Sequence, residues 1–192
     1  MKLLKDKIIL EGVVVNSEIL KVSSFLNHQL DVKLLDAIGD EFSKLFCKKN
    51  VTRILTIESS GIALACAVAR KMNNVPVVFA KKNKSGNVPE DVYTTSIYSF
   101  THNKSYDIIV SKNFLHKDDN VLIIDDFLAK GSALNGLIDI IKQSGANFVG
   151  AGIAIEKGFQ DGGKKLREQG FQIESLVIIE KMDCCGNIFF KN

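Results

Sequence analysis

Asp125 and Asp126 stand side by side after the branched apolar run Val121 to Ile124, and four residues later the chain reads Gly131-Ser132. Two adjacent carboxylates can hold a pair of hydroxyls or a divalent cation. The residues that follow, Ala129, Lys130, Gly131, Ser132 and Ala133, offer backbone N–H groups, a hydroxyl and a cation, the equipment of an anion cradle. A second stretch repeats that logic, because Ser59, Ser60 and Gly61 follow the apolar run from Arg53 to Ile57 and precede a helix of small residues. Lys81 and Lys82 leave a further apolar run, Val75 to Ala80, and Lys157 leaves another, Phe148 to Ile155. A lysine is a donor only and suits a phosphate or carbonyl oxygen. Each stretch also has a plain structural reading. The acidic pair suits a metal-binding phosphoacceptor domain or a solvated turn, the serines suit a capped βα turn, and the lysines suit strand ends in water.

These residues need strands that end together and helices that start there. The runs 53–57, 75–80, 121–124, 148–155 and 171–179 read as strands, and 121–124 is apolar on both faces as in a parallel sheet. In this reading the strand ends at Ile124, with the two aspartates where it runs out. Helical spacing appears in Leu34, Leu35, Ile38 and Phe42 after an N-capping Asp31, in 62–72, and in Leu134, Leu137, Ile138 and Ile141 up to Gly145. A shorter polar helix is expected near 164–169, and a last strand over 188–190. The order predicts an α/β fold with a mostly parallel sheet, whose ligand crevice lies at the carboxyl ends of the strands. At the N-terminus, a short helix closed by Gly12 and a strand at 13–15 lead into 18–30, which has no clean period. That segment is either a connecting loop or a cap in which Leu20, Phe25 and Asn27 meet a flat heterocycle. Residues 92–100 and 105–111 read as the arms of a hairpin.

The chain has 192 residues, enough for one sizeable α/β core, and we expect a single domain over 1–192. A net charge of +3 and only three arginines, Arg53, Arg70 and Arg167, argue against nucleic acid as the main partner. No apolar run approaches membrane-spanning length. The four cysteines have no metal-ligand spacing, and the N-terminus lacks the apolar core of a secretion signal, so a cytoplasmic protein with reduced thiols is expected.

The segment from Val121 to Ser132 resembles the phosphoribosyl-diphosphate (PRPP) signature of the type I phosphoribosyltransferases. Beyond it, Glu11 to Val14, Leu20 to Val22, Ser24 to Gln29, Thr56 to Ile62, Val77 to Ala80 and Ile155 to Lys157 with Phe159 are similar to the xanthine phosphoribosyltransferases within that family. The resemblance spans essentially the whole chain. It implies the type I phosphoribosyltransferase fold, with a small hood from about 1–35 and the C-terminal region, and a mobile loop at about 81–105. It implies that Asp125 and Asp126 hold the ribose hydroxyls, that Ala129 to Ala133 hold the 5′-phosphate, and that Ser59, Ser60 and Gly61 with Lys81 and Lys82 hold the diphosphate. Leu20, Asn27, Lys157 and Phe159 would contact the purine.

The implied reaction joins xanthine and PRPP into xanthosine 5′-monophosphate, with Asp125, Asp126 and Lys82 in catalytic roles. Mg²⁺ would be carried mainly by the diphosphate, and the implied enzyme is a homodimer. This chain departs from the wider purine pattern at Ala129, where hypoxanthine-guanine enzymes commonly place an aspartate, and at Ala133, which lacks a hydroxyl. A guanine or hypoxanthine phosphoribosyltransferase is the alternative enzyme. A non-catalytic PRPP or purine sensor is the alternative from another class, and it would need a DNA-binding module for which we find no room.

Overall fold

The computed structural model describes residues 1–83, 90–99 and 104–191. Helix α1 (Lys2–Glu11) leads into a two-stranded antiparallel hairpin, β1 (Val13–Val15) and β2 (Ile19–Lys21), and then a π-helical turn (Ser23–Asn27). The segment that lacked a clean period thus contains a strand, and Leu20 lies in it. There follow α2 (Val32–Leu45), β3 (Arg53–Ile57), α3 (Ser60–Lys71), β4 (Val77–Asn83), β5 (Val92–Ser99) and β6 (Lys104–Ser111). A 3₁₀ turn (Lys112–Phe114) precedes β7 (Asn120–Leu128), α4 (Ser132–Ser144), β8 (Asn147–Lys157), α5 (Gly162–Glu168), β9 (Ile173–Met182) and β10 (Ile188–Phe190).

The large sheet has the order β10-β9-β8-β7-β3-β4-β6-β5. Its five central strands run parallel, while β10 at one edge and β6 with β5 at the other run antiparallel. From β3 the chain moves outward to β4, and from β7 it moves the other way to β8 and β9. The strand order therefore reverses between β3 and β7, and a crevice opens at their carboxyl ends. The expected α/β architecture with a mostly parallel sheet is present.

Alternating residues of the central strands feed two cores. Ile54, Leu122 and Ile124 face α2, α3 and the N-terminal segment, where Leu4, Ile8, Leu20, Phe25 and Leu26 are also buried. Leu55, Val121 and Ile123 face α4 with its Leu134, Leu137, Ile138 and Ile141. Asp31 caps α2 by accepting the Leu34 N–H at 3.0 Å, and Gly145 ends α4 at a φ of 73°, as the sequence pattern predicts. Among the described residues no helix is long and apolar enough to cross a membrane.

Three expectations need correction. The strand expected to end at Ile124 continues to Leu128, because the neighbouring β8 runs as far and pairs with it through Leu128 and Glu156, so both aspartates lie within a strand. Lys81 and Lys82 are not in a loop. They belong to β4, which pairs there with Ile109 and Ile108 of β6. Of the loop expected at 81–105, residues 84–89 and 100–103 lie outside the described residues, and the rest is mostly ladder.

Helix α5 is fastened to the sheet by a buried ion pair. Glu156 is 4% exposed, and its carboxylate accepts two bonds from Arg167, at 2.8 and 2.7 Å, and one from Ser175. Burial alone would raise the Glu156 carboxyl, but the bonds from Arg167 and Ser175 outweigh it and hold the group below the usual carboxylate range. Removing one partner of such a pair strands a charge in the interior. Because Arg167 is about one-third open to water, we expect Arg167→Met to cost about 2 kcal/mol, below the full penalty of a dry pair. In a chain of this size that lowers Tm by about 4–8 °C at neutral pH. A carboxyl depressed by folding stabilises above its unfolded pKa and loses that contribution as pH falls through the folded value. The gap between wild type and variant should accordingly close in acid, which thermal melts from pH 7 to pH 3 would check.

Candidate active site

The two turns that flank the reversal point carry the anion-binding groups. Helix α4 begins after Gly131, whose φ of 84° is left-handed, and no side chain caps its N-terminus. The Gly131 carbonyl accepts the Asn135 N–H at 2.9 Å, so the N–H groups of Ser132, Ala133 and Leu134, in the helix's first turn, have no partner within the helix. They line a cleft of about 500 Å³ with Ala129 and Lys130 on the same rim. Helix α5 supports this turn at van der Waals distance, since a Cβ on Gly162 would lie 2.3 Å from the Ala129 carbonyl oxygen. Only glycine lets the two backbones approach so closely.

Across the crevice, α3 starts at Ser60, and the Ser59 hydroxyl makes no capping bond. The peptide between Glu58 and Ser59 is cis. Glu58 is turned toward β4, where its carboxylate accepts the Lys82 N–H at 2.7 Å. The acidic pair, in β7, lies beside this second turn and three residues before Ala129. Asp125 is 5% and Asp126 8% exposed, and a Cβ on Gly61 would lie 3.3 Å from Asp125 Oδ1. Burial, and then the Asp126 carboxyl, push the Asp125 carboxyl well up, while Lys82 pulls the other way. Carboxylate oxygens so placed can accept from a diol or meet a cation.

The two lysines on β4 separate. Successive residues of a strand point to opposite faces. Lys81 stands over the Phe79 ring at 5.8 Å, and Lys82 stands over Tyr106 at 5.5 Å. Tyr106 lines the cleft, and burial followed by the Asp125 charge raises its hydroxyl. Lys82 is therefore the lysine brought to the acidic pair, and Lys81 belongs to the other face.

Lys157 ends β8 on the rim of the cleft, where its ammonium donates to the Glu18 carbonyl at 2.8 Å. Loss of hydration lowers its pKa, with Glu18 opposing. Of the other residues predicted to meet a heterocycle, Leu20 is buried in the core, Asn27 is exposed at the end of the π-helical turn, and Phe159 is 39% exposed. These three do not line the cleft, whereas Glu18, Ile19, Ile97, Tyr98, Tyr106 and Gln160 do. A signal for Tyr106 was present in the hairpin, where it sits opposite Ile97, but a strand pattern alone does not say which face meets a ligand.

Among the described residues, no three His, Cys, Asp or Glu side chains gather into a metal cage. Two adjacent carboxylates at the edge of a phosphate-sized crevice suit a hard divalent cation whose remaining ligands are oxygens of the bound anion. The site can thus hold two phosphate groups, a diol between them and a flat ring at the Lys157 end.

Comparisons with known proteins agree with this fold. The family model for the phosphoribosyl transferase domain matches residues 23–181. The xanthine phosphoribosyltransferase of Ruminiclostridium cellulolyticum is 56% identical over 183 residues, covering 95% of this chain and 96% of that protein. That of Lachnoclostridium phytofermentans is 56% identical over 192 residues, covering 100% and 98%. Among solved structures, the Giardia lamblia adenine phosphoribosyltransferase in complex with 9-deazaadenine superposes with a TM-score of 0.76 at 24% identity, over 91% of this chain and 97% of that one. The Trypanosoma brucei adenine phosphoribosyltransferase, in complex with AMP, pyrophosphate and ribose-5-phosphate, gives 0.74 at 18% identity over 91% and 79%. Two uncapped helix starts and buried carboxylates at one reversal point, a match over most of the chain and identities above half lead to one conclusion: this chain belongs to the phosphoribosyltransferase family.

Proposed function

We propose that this chain transfers the 5-phosphoribosyl group of PRPP to xanthine, releasing diphosphate and forming xanthosine 5′-monophosphate. The observation that carries the reading is an acidic pair with the start of α3 at Gly61 beside Asp125 and the uncapped start of α4 a few residues beyond Asp126, which suits a sugar with phosphate at both ends. The choice of base rests on relatives that bear the xanthine enzyme's name at 52–56% identity. The proposal includes a homodimer in the cytoplasm, which the family resemblance implies.

In the reaction the bond from the ribose carbon to diphosphate breaks and one to a purine ring nitrogen forms. The sugar becomes cationic as the diphosphate leaves, so positioning and electrostatics supply most of the rate. The N–H groups of Ser132 to Leu134 anchor the 5′-phosphate. This remote binding energy holds the reacting carbon in line. Asp125 and Asp126 accept from the ribose hydroxyls. Ser59, Ser60 and Gly61 take the diphosphate at the start of α3, and Lys82 offsets its charge. A Mg²⁺ held by the diphosphate and the acidic pair would add positive charge on the leaving group. Lys157 donates to a purine oxygen and so favours an oxo purine over adenine, whose exocyclic amine is itself a donor.

Diphosphate release from PRPP, assayed with xanthine, guanine, hypoxanthine and adenine in turn, should be fastest with xanthine. A preference for guanine or hypoxanthine would move the assignment to those enzymes, and no release with any base would end the enzyme reading. Lys157→Ala should raise KM for xanthine by about 10–100-fold, the worth of one charged hydrogen bond, while PRPP affinity changes little. Equal loss of both substrates would count against the role of Lys157. Asp126→Asn should weaken PRPP use by about tenfold through the lost ribose contact, and unchanged PRPP kinetics would remove Asp126 from the site.

A further inference from the structure

One buried hydroxyl beneath the second turn has nothing to bond. Thr56, the penultimate residue of β3, is fully buried, and its Oγ1 has no hydrogen-bond partner among the described residues. A buried polar atom left unpaired costs stability, so it calls for an explanation. Its place supplies one. A Cβ on Gly61 would come within 2.0 Å of Thr56 Oγ1, so this atom lies directly under the start of α3 and beside the Asp125 carboxylate. Neighbouring groups are already engaged. The Asp126 N–H donates to Asp125 Oδ1, the Glu58 N–H donates to Ala80, and the Glu58 carboxylate accepts from Lys82. The hydroxyl under the turn is the donor left over.

We propose that Thr56 is a positioning residue for the diphosphate turn. Its hydroxyl is held in reserve for a carbonyl of residues 58–61 and engages it when the turn closes on diphosphate. Catalytic hydrogen bonds that are open in a free enzyme and form only with ligand are a general device. Thr56 touches no substrate and acts through the backbone that does. The inference rests on the reading of 58–61 as the diphosphate site, and it predicts an asymmetry that a purely structural threonine would not produce.

Thr56→Val removes the hydroxyl and keeps the shape, and Thr56→Ser keeps the hydroxyl. Calorimetric titration of the full chain with PRPP, inorganic diphosphate and xanthosine 5′-monophosphate separates the two ends of the site. Thr56→Val should weaken PRPP and diphosphate by about tenfold, one hydrogen bond's worth, and leave the monophosphate nucleotide within about twofold. Its Tm should equal or exceed that of wild type, because an unpaired buried group has been removed. Thr56→Ser should restore diphosphate binding. Unchanged diphosphate affinity in Thr56→Val, equal weakening of the monophosphate nucleotide, or a valine variant that fails to fold would each overturn the proposal, the last by showing that the hydroxyl already has a partner. Wild type that binds neither PRPP nor diphosphate would instead refute the functional reading beneath it.

Discussion

The structure turns on a charge conflict. Two carboxylates sit almost without solvent beside the start of α3 and a few residues before the uncapped start of α4. Buried carboxylates are costly unless neutralised or paired, and no arginine or lysine forms a direct ion pair with Asp125 or Asp126 among the described residues. The fold meets the cost in other ways. Asp125 is pushed toward its neutral form, Lys82 lends partial compensation from β4, and the start of α3 presents its positive end through Gly61. The contrast with Glu156 is instructive. That carboxylate is equally buried but has Arg167 and Ser175, and it stays ionised. The ion pair fixes architecture, whereas the unpaired acids leave valence for something that arrives.

What allows the conflict to exist is close packing of main chain around it. Gly61 brings the α3 turn onto Asp125, and Gly162 brings α5 onto the Ala129 carbonyl. Each contact is shorter than any side chain would allow. Helix α5 is in turn held to β8 by the Arg167 and Glu156 pair, so the same helix links a salt bridge to the 129–133 turn. Stability and site geometry are thus carried by the same few contacts, and substitutions behind the crevice should act on binding as well as on folding.

Much of this was legible in the sequence because it is periodic or punctuated. Apolar runs marked the central strands, Asp31 and Gly145 marked helix ends, and the Asp125 to Ser132 order marked the crevice. Three features were not legible for physical reasons. The end of β7 depends on how long its neighbour β8 is, which no local pattern contains. The separate directions of Lys81 and Lys82 follow from strand alternation, but only once both are known to lie in a strand. The unpaired Thr56 hydroxyl is a property of the tertiary neighbourhood and leaves no trace in the sequence.

The two ends of the cleft are built differently, and the difference bears on the specificity proposed above. The 129–133 turn is backbone between a sheet strand and a helix start. The far end of the cleft instead joins Lys157, the last residue of β8, to Glu18 and Ile19 of the N-terminal hairpin, whose strands pair only with each other among the described residues. An ammonium has three donors. One is spent on the Glu18 carbonyl, and the half-buried position penalises the charge if the others stay unused. A ring oxygen placed at the remaining donors would relieve that penalty without breaking the link to Glu18, whereas a competing donor such as an amine would deepen it. Under the function proposed above, selection of an oxo purine would draw on this partly desolvated lysine, whose one recorded partner among the described residues is the Glu18 carbonyl, as well as on the shape of the pocket.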